Sequence, residues 1–258
     1  MTDVLAQARD WARESGAILV LTGAGVSAES GVPTFRGEQG LWKHYRPEEL
    51  ATPDAFVRDP RLVWEWYEWR RRLVLDCRPN AAHSALAAAA LRANGRTRIV
   101  TQNVDGLHAV AAREAAASLK PPVSPDAALP VELHGSLFRT RCTSCGDTKR
   151  HTEPIDASST DSLPRCARCH SLLRPDVVWF GESLDESVLS QAFESAAAAD
   201  VCFVIGTSAV VQPAASLALV TKRAGGRVVE VNPDTTPLTA LADLSLRSRA
   251  GDAVPSIF

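Results

Sequence analysis

Four cysteines of this chain stand as two C-x-x-C pairs, Cys142 with Cys145 and Cys166 with Cys169, separated by twenty residues. Thiolates at that spacing can close tetrahedrally on Zn²⁺ at about 2.3 Å with no open position, which predicts one structural zinc ion; disulfides or a redox dithiol are the alternatives. A second pattern, Gly23-x-Gly25-x-x-Ala28, follows the apolar run AILVL. Small residues at the end of a strand let backbone N–H groups approach a diphosphate, so the loop is a candidate dinucleotide cradle; the alternative is a tight turn with no ligand. The acidic residue that completes an ordinary dinucleotide fingerprint about twenty residues further on is missing. The chain runs instead through SAESGVPTFR. A third pattern is RLVWEWYEWRRRLVLD, 61 to 76, where Tyr67 and Arg70 project from one helical face at i and i+3. Its plainer reading makes the aromatic residues a core stripe and the arginines a solvated edge.

These residues need elements to position them. Four apolar runs, 17–25, 97–106, 200–209 and 226–234, each end in small or polar residues. Such runs suit strands buried on both faces of a parallel sheet. Helical stretches over 60–76, 80–93 and 186–199 alternate with them. The pattern predicts an α/β fold, a Rossmann-like doubly wound parallel sheet whose ligands bind beyond the carboxyl ends of the strands. Residues 1–138 and 177–258 are expected to form this nucleotide-binding domain, with 37–76 as a helical excursion. Residues 139–176, which hold the paired cysteines, are expected to form a small zinc-ribbon domain. The stretch 115–130 has the Pro, Ala and Ser content of an irregular loop.

Composition narrows the partners. The formal net charge of −2 supplies no bulk positive field, so neither nucleic acid nor an anionic membrane is an expected partner. Even the ribbon, from Arg139 to His170, carries six basic residues against four acidic ones, too mild for a nucleic-acid stripe. The charged N-terminal stretch lacks the apolar core of a signal peptide, and no run approaches the ~18 residues of a membrane span. A cytoplasmic chain is expected, and Cys77 and Cys202 read as ordinary thiols there.

Taken in order, GAGVSAESGVPTFR (23–36), TQNVDGLH (101–108), ELHGSLF (132–138), VVWFGE (177–182), GTSAVVQPAA (206–215) and VNPD (231–234) resemble the motif set of the sirtuins, NAD-dependent protein lysine deacylases. The resemblance covers roughly residues 15 to 255. It implies NAD held by Gly23, Ala24, Gly25, Ser27, Phe35 and Arg36 on a loop that closes over the cofactor. Gln102, Asn103 and Asp105 are implied around nicotinamide and its ribose, although Asp105 could equally cap the next helix. Gly206, Thr207 and Ser208 are implied at phosphate or ribose, Asn232 and Asp234 at the adenosine end, and Ala250 near adenine. His134, with Asn103, is implied as catalytic, and its position in ELHGSLF sets it above His44, His83, His108, His151 and His170. In the family the acyl oxygen attacks the anomeric carbon as nicotinamide leaves, and this imidazole is the general base for the ribose hydroxyl that follows.

The resemblance also implies a substrate. Val178, Phe180 and Gly181 of VVWFGE are implied as the edge against which a substrate peptide adds as a strand. YEWR matches the Tyr-x-x-Arg of class III sirtuins, which prefer malonyl, succinyl and glutaryl lysine. Tyr67 and Arg70 would bind the terminal carboxylate, with small Ala51 leaving room for the chain. The expected function is an NAD-dependent deacylase of acyl-lysine proteins or peptides that favours acidic acyl groups over acetyl, yields nicotinamide and O-acyl-ADP-ribose, and acts as a monomer. An ADP-ribosyltransferase, a plain deacetylase with Tyr67 and Arg70 structural, and a non-catalytic binding module remain the alternatives.

Overall fold

The computed structural model describes residues 2–34, 46–92 and 95–258. In chain order the elements are α1 (Thr2–Glu14), β1 (Ile18–Thr22), α2 (Pro47–Leu50), α3 (Pro53–Arg58), α4 (Pro60–Leu75), α5 (Ala81–Arg92), β2 (Thr97–Thr101), α6 (Leu107–Ser118), β3 (Val131–Glu132), β4 (Gly135–Cys142), β5 (Thr148–Arg150), β6 (Leu173–Val177), α7 (Glu186–Ala198), β7 (Val201–Ile205), α8 (Ser216–Arg223), β8 (Arg227–Val231), β9 (Leu244–Leu246) and α9 (Ala250–Ile257).

The expected parallel sheet is present, with six strands in the order β3-β2-β1-β7-β8-β9. Its two faces follow from alternation along each strand. In β1, Ile18 and Val20 pack with Ala8, Leu86, Phe203 and Val254 on one face, while Leu19 and Leu21 pack with Ala192, Ala196 and Leu217 on the other. Both faces are covered by helices, which is why the strands read as unbroken apolar runs. Strand order reverses between β1, from which the chain runs out to β2 and β3, and β7, from which it runs to β8 and β9. The loops after β1 and β7 therefore diverge and leave a crevice there.

Between β3 and β7 the chain builds a separate three-stranded antiparallel sheet, β5-β4-β6. Its first strand begins at Gly135, directly after His134, so the ribbon sheet starts four residues ahead of the boundary read from the cysteines. A third apolar cluster joins the helical excursion to this ribbon: Ala51, Phe56, Val63, Trp64 and Tyr67 pack with Leu137, Ile155, Val177 and Trp179. Caps set the excursion's helices. Thr52 Oγ1 accepts from Ala55 N at 3.1 Å and Asp59 Oδ1 from Leu62 N at 2.9 Å, each ahead of a proline at the first helical position.

One expectation is corrected. The stretch 115–130 is helical as far as Ser118, because the apolar stripe of α6 continues from Ala112 to Ala116, both buried. It also contains a helical turn at Asp126–Ala128 with Ala128 in the core.

Candidate active site

A cleft of about 860 Å³ opens at the carboxyl ends of β1, β2, β7 and β8, with Gly23, Gln102, Gly206 and Asn232 among its lining residues. The four strand tails thus share one crevice. Gly25 N donates to Gly206 O at 2.7 Å and Gly23 N to Ile205 O at 3.2 Å. A Cβ on Gly25 would lie 2.7 Å from Gly206 O, and one on Gly206, whose φ is +60°, would lie 2.4 Å from Val26 N. Glycine is therefore needed for the loops after β1 and β7 to meet backbone to backbone, before any ligand is considered. The remaining tails are tied to this contact, since Gln102 Nε2 donates to Thr207 Oγ1 at 3.0 Å and Asn232 Nδ2 to Thr207 O at 2.8 Å. A cradle of bare backbone across a strand-order reversal fits the diphosphate of a dinucleotide.

His134 lines the cleft, and its Nδ1 is 3.0 Å from Gln102 O. A carbonyl oxygen only accepts, so Nδ1 carries the proton and Nε2 keeps the lone pair of the neutral ring. Burial lowers the pKa of His134 from its ordinary value, with the Gln102 bond opposing. Behind it lies a buried polar layer. Asn103 Nδ2 donates to Ser27 Oγ at 3.1 Å, and Ser27 Oγ is 3.3 Å from His83 Nε2. Asp105 Oδ1 accepts from Leu107 N at 2.9 Å, a turn bond made from one residue ahead of the N-cap, Gly106, rather than a cap itself. Burial raises the carboxyl pKa of Asp105, against the Leu107 N–H, Ser27 and Arg70.

Tyr67 and Arg70 of α4 reach the same lining, with Ala51, Trp179, Phe180 and Gly181. Both are buried, at 1% and 7% exposure, so Arg70 is no solvated edge. Its guanidinium lies 4.8 Å from the Trp66 ring and 5.6 Å from the Tyr67 ring. Burial lowers the pKa of Arg70, opposed by Tyr67 and Asp105. Arg71, the next residue, is also buried and holds α4 to the ribbon, donating to Glu68 Oε2, Leu137 O and Glu153 O at 3.0, 2.7 and 2.8 Å. Phe180 N donates to Ala51 O at 2.9 Å, closing the pocket between VVWFGE and the excursion.

The four cysteine sulfurs lie within 4.8 Å of one another at the ribbon's tip. Cys142 Sγ is 3.4 Å from Cys169 Sγ and Cys145 Sγ is 3.7 Å from Cys166 Sγ. These separations are too long for a disulfide and approach the ~3.8 Å edge of a sulfur tetrahedron with bonds of ~2.3 Å. Backbone N–H groups of Ser144 and Cys145 point at Cys142 Sγ, and that of Arg168 at Cys166 Sγ, each at 3.4 Å, which favours thiolates. The donor set fits one Zn²⁺.

Of the residues singled out from sequence, Gly23, Ala24, Gly25, Gln102, Asn103, His134, Gly206, Thr207, Ser208, Asn232, Asp234 and Ala250 line the cleft, as do Ala51, Tyr67, Arg70, Val178, Phe180 and Gly181. Ser27 and Asp105 do not; both are buried in the layer beneath. Phe35, Arg36 and His44 lie outside the described residues. Sequence reasoning passed over Trp179, which lines the cleft and donates through Nε1 to the Tyr67 hydroxyl at 2.9 Å. Alternation along 177–180 was the available signal, since Val177 and Trp179 are buried while Phe180 is 47% exposed.

Fold and site together define a dinucleotide-binding doubly wound domain carrying a four-thiolate ribbon. Comparison with known proteins makes this specific: residues 23–213 match the Sir2 family, and the chain belongs to that family. It is 51% identical to NAD-dependent protein deacylase 1 of Archaeoglobus fulgidus, over 95% of this chain and 92% of that one. It is 48% identical to the NAD-dependent protein deacylase of Pyrococcus furiosus, over 95% and 92%. Among solved structures, a Sir2 homologue–NAD complex superimposes with a TM-score of 0.84 at 47% identity, covering 98% of this chain and 91% of that one. A Sir2–p53 peptide–NAD⁺ complex does so with 0.78 at 31% identity, covering 96% and 94%.

Proposed function

We propose that this chain is an NAD-dependent protein-lysine deacylase that prefers acyl groups ending in a carboxylate, namely succinyl, malonyl and glutaryl, over acetyl. The products are nicotinamide and O-acyl-ADP-ribose. The carrying observation is that Tyr67 and Arg70, both buried, line the same cleft as His134. A buried guanidinium beside a hydroxyl is matched chemically by a carboxylate, and a charge-assisted hydrogen bond there contributes ~1.5–3 kcal/mol. Acetyl leaves both groups without a partner from the substrate.

The roles proposed are those the sequence resemblance implies, for residues that the cleft brings together. The loops at Gly23–Gly25 and Gly206–Ser208 hold the diphosphate, and Asn232, Asp234 and Ala250 the adenosine end. Bound NAD supplies an electrophilic sugar carbon and a nicotinamide leaving group. Gln102 and Asn103 orient that end, and His134 takes a hydroxyl proton on Nε2. Val178, Phe180 and Gly181 offer backbone to the substrate peptide, and the ribbon zinc is structural. Among the described residues no helix is long and apolar enough to cross a membrane. The proposed protein is a cytoplasmic monomer acting on acyl-lysine proteins; its net charge of −2 supplies no positive field for nucleic acid or an anionic membrane.

The test is one peptide carrying acetyl, succinyl, malonyl or glutaryl lysine, assayed with and without NAD. Succinyl, malonyl or glutaryl turnover above acetyl, with one nicotinamide per acyl group removed, is expected. Acetyl in first place would make Tyr67 and Arg70 packing residues, and ADP-ribose attached covalently to protein would make the chain a transferase.

A further inference from the structure

The hydroxyl of Tyr67 can donate and accept. Among the described residues its hydrogen-bond partner is Trp179 Nε1, at 2.9 Å, and an indole N–H can only donate. The Tyr67 oxygen therefore accepts in this bond, and its own hydrogen is left for the cleft that the residue lines. Burial raises the pKa of Tyr67, which keeps that hydrogen in place through neutral pH.

Trp179 is itself held firmly. Its backbone N donates to Glu182 Oε2 at 2.8 Å, and the guanidinium carbon of Arg174 stands 3.6 Å from its ring centroid. Arg174 is fixed in turn by two hydrogen bonds to the Glu182 carboxylate and one to Val177 O at 2.7 Å. The indole thus has one orientation, with its N–H aimed at Tyr67.

We propose that Trp179, locked by Arg174 and Glu182, is a specificity-determining positioning residue: by occupying the acceptor side of Tyr67 it leaves this pair of side chains, Tyr67 O–H and the Arg70 guanidinium, presenting only donors to the acyl end. This rests on the acidic-acyl reading and sharpens it. A carboxylate accepts from both groups. A terminal carboxamide of the same shape brings an NH₂ for which this pair supplies no acceptor, and a buried donor left unmatched is costly. The substrate class is therefore acyl chains ending in an acceptor-only group, and the carboxamide isostere is disfavoured by hydrogen-bond polarity as well as by charge.

The experiment compares kcat/KM for a succinyl-lysine peptide and its succinamoyl counterpart on the wild type, Trp179→Phe, Tyr67→Phe and the double variant. Removing the indole N–H frees the Tyr67 oxygen to accept, so Trp179→Phe is expected to lower the succinyl-to-succinamoyl ratio about fivefold, the worth of one hydrogen bond. The double variant should show no shift beyond that of Tyr67→Phe, because Trp179 acts through that hydroxyl. A general loss of packing lowers both substrates together and leaves the ratio where it was. An unchanged ratio in Trp179→Phe, with succinyl still preferred over acetyl by the wild type, overturns this proposal alone; a wild type that prefers acetyl overturns the acidic-acyl reading first. Should Trp179→Phe not fold, Glu182→Gln, which loosens the clamp, should lower the ratio about twofold, and no change there overturns the proposal.

Discussion

The carbonyl oxygen of Gln102 lies 3.0 Å from His134 Nδ1 and fixes which ring nitrogen carries the proton. His134→Ala should lower deacylation by at least ~10²-fold while zinc content and melting temperature stay as in the wild type. Burial lowers the pKa of His134, so the neutral base persists below the ordinary 6.5. The acid limb of kcat/KM against pH is expected below 6.5, and a limb above it would take His134 out of the role of general base.

Arg70 is a buried cation with Asp105 in its field, and the acyl carboxylate is the further partner proposed for it. Arg70→Met should reduce kcat/KM for a succinyl peptide at least ~10-fold more than for its acetyl form, the lower end of one charge-assisted bond. Equal losses on both would mean that the guanidinium serves packing against Trp66 and Tyr67.

The ribbon has a three-stranded sheet and a sulfur cluster to hold it, and its strand β4 starts one residue after His134. Chelation should release one zinc per chain. It should abolish turnover by unfolding the ribbon and so freeing His134, with recovery on returning zinc, because ~10–16 kcal/mol of folding free energy in isolated zinc peptides comes from such a site. Turnover that survives complete removal of the metal would separate the ribbon from the catalytic joint.

His83 and His108 pack with ring centroids 4.7 Å apart and planes tilted by 59° inside the nucleotide-binding domain. Burial lowers the pKa of His83 to about 4, and that of His108 lies well below its ordinary value. The unfolded chain takes up a proton at His83 near 6.5, whereas the folded one resists until about 4. Stability should therefore fall as pH drops from 6.5 to 4, by on the order of 3 kcal/mol from His83 alone. Denaturant unfolding across that range should show a shallower slope in His83→Gln; an identical slope would place the titration elsewhere.

The four central strands of the parallel sheet, β1, β2, β7 and β8, were legible because burial on both faces leaves no polar alternation to confuse the pattern. β3 and β9, two and three residues long, carry no period that a sequence can display. Tyr67 and Arg70 were legible as one helical face, but the burial of Arg71 was not, because its partners Leu137 O and Glu153 O are 66 and 82 residues away. The same holds for Ser27: nothing local distinguishes a serine that meets a ligand from one that meets Asn103 and His83. Trp179 lies two residues past the end of β6, so its inward turn shows only in the burial of Val177 and Trp179 beside the exposed Phe180, not in a strand period.

Tyr67, Trp179 and Ala51 sit in the same apolar cluster as Val63, Leu137 and Val177. The walls that would choose an acyl chain are thus also the mortar between the helical excursion and the ribbon. A relative with a different diet should differ here as a co-adapted block of neighbours, since trimming one brick to admit another acyl shape loosens the masonry on which the whole second lobe stands.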